Sequence, residues 1–145
     1  METQSGSILV VDDEFSVRDS LYHWFRKDGF QVIAAANATE ALKAMQEHPF
    51  DVVFLDIKMP GMDGIETLKR IKVAHPTTEV IMLTGHASFD SAIDGMKLGA
   101  FDYLLKPVAI DDLTAKVEEA KNKRRQHQAK IFEAVGKQIR ERIAR

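Results

Sequence analysis

The sequence predicts an α/β protein, a parallel sheet doubly wound with helices on both faces, and three observations carry that expectation. Apolar runs and helically periodic segments alternate five times along the chain, which calls for parallel strands joined by right-handed crossovers. The runs at 8–11, 52–55 and 80–83 are continuously apolar rather than alternating, as in strands buried on both faces. Four runs end in residues able to hold a metal ion or a phosphate: 8–11 in Asp12 and Asp13, 52–55 in Asp56, 80–83 in Thr84, and 103–105 in Lys106. The carboxyl ends of parallel strands share one edge of the sheet, where open α/β folds bind ligands.

Each element has its own local warrant. After the first strand, Val17, Leu21, Trp24 and Phe25 recur at helical spacing and Gly29 supplies a stop, giving a first helix over 15–27. Residues 31–35 form a shorter, less apolar strand. Asn37 can cap the second helix, with Glu40 completing a capping box, and Ala41, Leu42 and Met45 make its inner face. The loop 56–64 carries one Pro and two Gly. A third helix bears Ile65, Leu68, Ile71 and Lys72 and stops near His75-Pro76, because Pro disfavours helical geometry in the residue before it. Ser88 caps a fourth helix with Ala92, Ile93, Met96 and Leu98, closed by Gly99. Past the fifth strand and Pro107, a helical pattern runs from about Asp111 to the end of the chain.

Composition bounds the rest. At 145 residues, 45% hydrophobic and with four prolines, the chain supports one domain plus an appendage. Without cysteine it has neither disulfides nor thiolate metal sites, in keeping with a cytoplasmic location. The first seven residues lack the features of a signal peptide, and no run approaches the ~20 apolar residues of a membrane span, so no membrane role is expected. The net charge of −2 is polarised: from Lys121 onward nine Lys or Arg face two Glu, a net of +7, leaving −9 for residues 1–120.

Three acids at one sheet edge repel one another unless a cation joins them. Hard oxygen ligands without His or Cys suit Mg²⁺. Asp56, alone at a strand end before a Gly-containing loop, is the best candidate for a nucleophile that becomes an aspartyl phosphate. Phosphoryl transfer is catalysed mostly by positive charge placed around the equatorial oxygens, which Mg²⁺ and Lys106 supply while Thr84 adds a hydroxyl donor. The site is suited to a metal ion and a phosphoryl group.

Val-Val-Asp-Asp-Glu at 10–14, Asp-Ile-Lys-Met-Pro-Gly-Met-Asp-Gly at 56–64, Met-Leu-Thr-Gly at 82–85 and Gly-Ala-Phe-Asp-Tyr-Leu-Leu-Lys-Pro at 99–107 closely resemble the receiver domain of bacterial two-component response regulators, over about residues 6–120. The stretch 82–107 is most similar to receivers of enhancer-binding transcription activators. The resemblance implies a flavodoxin-like five-stranded sheet of order 2-1-3-4-5. It implies that Asp56 accepts a phosphoryl group from a sensor histidine kinase or phosphotransfer protein, and that Asp12, Asp13, Asp56 and the backbone carbonyl of Lys58 hold Mg²⁺. Thr84 and Lys106 would bind the phosphate, the Lys106-Pro107 bond would be cis, and Tyr103 would turn inward as Thr84 moves. Lys58 and His86 flank the path of an attacking water and are expected to tune phosphate lifetime.

The expected role is thus a phosphorylatable switch acting through protein contacts rather than an enzyme with an external substrate. A receiver fragment of a longer transcription regulator is an alternative. A Mg²⁺-dependent phosphohydrolase is disfavoured, because enzymes of the haloacid dehalogenase type carry a second acid where this chain has Lys58. Residues 121–145 are a basic helical extension with Ile131, Phe132, Val135, Ile139 and Ile143 mostly three or four apart. Residues 121–128 carry no large apolar side chain, which suggests a solvated helix or a joint. The extension is expected to dimerise, to dock on the body, or to begin a linker; a homodimer through helix 4, strand 5 and helix 5 is a further option. No DNA-reading motif follows, so no specific nucleic-acid binding is expected.

Overall fold

The computed structural model describes residues 5–85 and 88–144. Five strands, β1 (Ser7–Val11), β2 (Gln31–Ala35), β3 (Val52–Leu55), β4 (Glu79–Thr84) and β5 (Asp102–Leu105), alternate with five helices, α1 (Phe15–Lys27), α2 (Ala38–Glu47), α3 (Gly64–Ala74), α4 (Phe89–Lys97) and α5 (Ile110–Ile143). All four strand pairings are parallel, in the order β2-β1-β3-β4-β5. This is the doubly wound architecture expected from the run pattern.

Because successive side chains of a strand point to opposite faces, each central strand feeds two cores. Leu9, Val11, Val53, Leu55, Val80 and Met82 pack with Ala41 and Met45 of α2 and Leu68 and Ile71 of α3. Ile8, Val10, Val52, Phe54, Ile81 and Leu83 pack on the other face with Leu21 and Phe25 of α1 and Leu113, Val117 and Ala120 of α5. Double-sided burial explains why these runs do not alternate.

Several local expectations shift. β4 includes Glu79 and Thr84, and β5 starts at Asp102 and stops before Lys106. β5 is an edge strand, only half-buried, so its apolar run arises from one covered face rather than two. Met96 of α4 is exposed instead of lining the core. Asn37 caps α2 by accepting from Glu40 N–H, but the Glu40 carboxylate reaches Ala36 N–H (2.7 Å) rather than the amide of Asn37. α1 begins after Glu14, whose side chain makes no capping bond among the described residues.

The largest departure concerns the end of the chain. Residues 121–128 are neither a joint nor wholly solvated: α5 runs unbroken for 34 residues, about 51 Å. Lys121 is buried, its ammonium 5.1 Å from the centroid of the Phe30 ring. Arg124 Nη1 donates to Asp51 Oδ1 at 2.8 Å, while Asp51 Oδ2 accepts from Ser7 N–H at 2.9 Å. The first turn of the basic segment is thus fastened to the amino-terminal edge of the sheet. Beyond Arg124 the large apolar side chains, Ile131 to Ile143, are exposed. No helix of the described residues is long and apolar enough to cross a membrane.

Candidate functional site

Strand register brings the predicted residues together. Val11 of β1 pairs with Leu55 of β3, and Leu55 with Met82 of β4, so the residues after each strand emerge at one level. Asp56 N–H donates to Val11 O (3.0 Å) and Asp12 N–H to Ala35 O (3.1 Å), which fixes both acidic positions through backbone pairing. One oxygen each of Asp12, Asp13 and Asp56 lie within 4.8 Å of one another, with Asp12 and Asp56 buried and Asp13 exposed.

Lys106 enters from the far side. Its backbone N–H donates to Thr84 O (2.8 Å), which keeps it one residue beyond β5, and its Nζ lies 2.6 Å from Asp12 Oδ2 and 3.5 Å from Asp56 Oδ2. The Lys106-Pro107 peptide bond is cis. Burial pulls the Lys106 amine down, but the hydrogen bond to Asp12 and the charges of Asp12, Asp56 and Glu14 outweigh it, so its pKa is raised. For Asp12 burial dominates and raises the carboxyl above its ordinary range, although Lys106 and the Glu14 amide (2.9 Å) oppose it. Lys106 therefore stays cationic, held by the carboxylates around it.

Asp56 Oδ1 is buried with no hydrogen-bond partner among the described residues. A buried carboxylate oxygen without a donor is costly, and here it lies among two further acids. An oxygen-only donor set with one unmet lone-pair site is what a hard divalent cation requires, so the residues fit Mg²⁺.

Thr84 is fully buried at the end of β4. Tyr103 is half-buried against the α2–α3 core, and its hydroxyl lies 3.0 Å from Ser91 Oγ of α4. Lys58 is exposed two residues after Asp56, whereas His86 lies outside the described residues. The loop 57–63, which carries Lys58, is folded back by Gly64, whose N–H donates to Ile57 O at 2.7 Å.

Three participants were not singled out from sequence. Ser91 holds the tyrosine hydroxyl and completes the α4 capping box with Ser88; the Ser-x-x-Ser spacing was the available signal. Arg18 Nη1 donates to Asp12 O at 2.8 Å, and nothing in its spacing announces that. Gly64 packs against the backbone of Asp56 and Ile57, a closeness visible only in three dimensions.

The family model described as "Response regulator receiver domain" matches residues 8–118. The chain belongs to the response regulator receiver family. The receiver is 42% identical over 120 residues to the transcriptional regulatory protein ZraR of Klebsiella oxytoca, covering 83% of this chain and 27% of that protein. It is 40% identical over 142 residues to the transcriptional regulatory protein FixJ of Bradyrhizobium diazoefficiens, covering 98% and 68% respectively. The receiver thus spans about a quarter of the ZraR relative and about two thirds of FixJ. Among solved structures, a CheY-like receiver domain protein from Methanospirillum hungatei JF-1 superposes with a TM-score of 0.82 at 33% identity, covering 84% of this chain and 98% of that one. NtrX from Brucella abortus gives 0.81 at 33% identity, covering 87% and 29%.

Proposed function

We propose that this receiver accepts a phosphoryl group on Asp56 from a phosphohistidine donor, a sensor histidine kinase or phosphotransfer protein, and passes the event to protein partners through α4 and β5. The observation that carries the reading is the convergence of Asp12, Asp13 and Asp56 within 4.8 Å, beside a lysine 2.6 Å from one and 3.5 Å from another.

One carboxylate oxygen of Asp56 attacks phosphorus, an O–P bond forms, and the donor's N–P bond breaks with its electron pair returning to the ring, whose other nitrogen carries a proton so that a neutral imidazole leaves. Asp12, Asp13, Asp56 and the Lys58 carbonyl would hold Mg²⁺, which when bound neutralises the acids and draws charge from the transferring oxygens. Lys106 swings from Asp12 onto the new phosphate, supplying fixed positive charge where it accumulates. Thr84, buried on the neighbouring strand, donates its hydroxyl to a phosphate oxygen. The phosphate adds charge and acceptor oxygens, and Tyr103 exchanges the Ser91 contact for the space that Thr84 leaves. Because Ser91 sits in the first turn of α4, that exchange repositions the helix.

The donor is proposed to dock on the apolar groove lined by Val17, Leu21, Pro107, Val108 and Leu113, which runs beside Lys106. Exposed Met96 and Leu105 on α4 and β5 offer the output face, to a second copy or to an effector. Lys58 and His86 are proposed to tune phosphate lifetime; unchanged decay in Mg²⁺ after alanine substitution at each position would remove them from that role.

The test is phosphorylation by acetyl phosphate followed by intact-mass analysis. A single phosphoryl adduct is expected that needs Mg²⁺ and is absent from Asp56→Asn. An adduct that persists in Asp56→Asn refutes the assignment. Sustained turnover of small phosphate esters supports the hydrolase reading instead.

A further inference from the structure

The two edges of the sheet are finished differently. At β5, Tyr103 N–H donates to Asp102 Oδ1 at 2.7 Å, and Asp102 Oδ2 lies 2.9 Å from Lys116 Nζ, so a capped amide and a pair of charges close that edge. β2 has no such device. Gln31-Val32-Ile33-Ala34-Ala35 carries neither charge nor proline, and it pairs with β1 residue for residue, without a bulge. Gln31 N–H donates to Gly6 O, and Ala35 O accepts from Asp12 N–H. Main-chain groups alternate sides along a parallel strand, so residues 31, 33 and 35 direct theirs to β1, and the N–H and C=O of Val32 and Ala34 face outward. Among the described residues no side chain caps either one.

Beside this edge lies a cavity of about 520 Å³ bounded by Arg26, Gln31, Val32, Ile33 and His48. Past Gln31 and His48 it continues into a second, of about 300 Å³, that reaches Asp51 and Arg124. α1 packs on the Val32 face of the sheet and α2 on the Ile33 face. Arg26, in the last turn of α1, and His48, which ends α2, therefore flank the edge from opposite faces.

The lining selects the occupant. Asp51 is the one acid in it, and both its oxygens are taken, by Arg124 and by Ser7 N–H. Arg26 is propped against Tyr22, donating to its hydroxyl with the guanidinium 5.3 Å from the ring centroid, and no described carboxylate pairs with it. The groove is thus cationic. A chain added to β2 turns successive side chains to opposite faces, so two consecutive acidic residues reach Arg26 on one face and His48 on the other. A second copy of β2 would instead bring an equally cationic groove against this one.

We propose that the open edge of β2 takes an extended acidic segment of a partner protein as a sixth strand, paired through the main-chain groups of Val32 and Ala34. The proposal is independent of the phosphoacceptor reading, because none of these edge residues belongs to that site.

The test is an NMR titration of the isotopically labelled full chain with a blocked hexapeptide, Thr-Val-Asp-Glu-Val-Thr, up to about 5 mM. Shifts centred on Val32, Ile33 and Ala34 are expected, and the Val32 and Ala34 amides should exchange fast in the free chain and severalfold more slowly with peptide bound. Replacing Asp-Glu by Lys-Lys should weaken binding about tenfold. N-methylating alternate peptide amides, which keeps the charge and removes the ladder bonds, should do the same. Arg26→Glu should reverse the preference toward the Lys-Lys peptide while circular dichroism stays native, and Arg26→Gln should give an intermediate loss. Slow exchange at Val32 and Ala34 before peptide is added, no shift at β2 at the highest concentration, equal binding of acidic and lysine peptides, tolerance of N-methylation, or shifts confined to α5 beyond Arg124 overturns the proposal.

Discussion

Gly64→Ala separates two effects of opposite sign, and the structure decides between them. Gly64 is the first residue of α3, where alanine is normally the better helix former by up to about 1 kcal/mol and also narrows the unfolded ensemble. On that reasoning alone the substitution stabilises. A Cβ at Gly64, however, would lie 2.1 Å from Asp56 O, 2.6 Å from Ile57 Cα and 2.9 Å from Asp56 C. These are backbone atoms, and Asp56 is itself held by its N–H to Val11 O, so no side chain can turn aside. Overpacking in a tight site costs about 1–3 kcal/mol when side chains give way; with backbone on both sides the upper end applies, giving a net loss of about 2–3 kcal/mol. For an m-value of about 1–3 kcal/mol per molar urea, the unfolding midpoint should fall by roughly 0.7–3 M. Gly61→Ala is the control. Gly61 has φ +80° but its Cβ would meet no described atom within 4 Å, so only the left-handed strain of about 1 kcal/mol applies. Urea unfolding of the three proteins without divalent cation provides the assay. A Gly64→Ala protein as stable as the native one, or one no less stable than Gly61→Ala, refutes the reasoning that the loop is folded against the Asp56 backbone.

Asp56→Asn should stabilise the metal-free protein by about 1 kcal/mol, because it removes one of three converging carboxylates, and should weaken Mg²⁺ binding at least tenfold by calorimetry. The raised Asp12 carboxyl means that the folded metal-free protein carries a penalty above that pKa which is relieved as pH falls through it toward the unfolded value of 3.8. Since a proton and Mg²⁺ compete for the same oxygen, the stabilisation by saturating Mg²⁺ should grow as pH rises through this window, measured as the difference between unfolding midpoints with and without the ion. Arg124→Ala leaves the partly buried Asp51 with its Ser7 amide alone and should cost about 1–2 kcal/mol, with Arg124→Lys recovering part of it in the same urea assay. Ser91→Ala removes one hydrogen-bond partner of the Tyr103 hydroxyl and should shift the Tyr103 resonances part of the way toward those of the phosphorylated state, a change visible by NMR before any phosphodonor is added.

What the sequence determined by itself was the set of strand ends and their chemistry. The runs before Asp12, Asp56 and Thr84 are apolar without alternation because both faces of a central strand are buried, and that periodicity is a local property of the chain. Helix stops at Gly29 and Gly99 were legible for a similar reason: both adopt positive φ, +96° and +98°, which a side chain disfavours. The tertiary structure decided matters that depend on residues distant in sequence. Ser91 meets Tyr103 only because α4 packs beside β5, and position 64 lacks room for a side chain only because α3 folds back on Asp56. A run without large apolar residues at 121–128 reads as solvated, yet Lys121 is buried on Phe30 and Arg124 is paired with Asp51. Ion pairs across some seventy residues leave no periodic trace, since they form only once the helix is already seated by its apolar face.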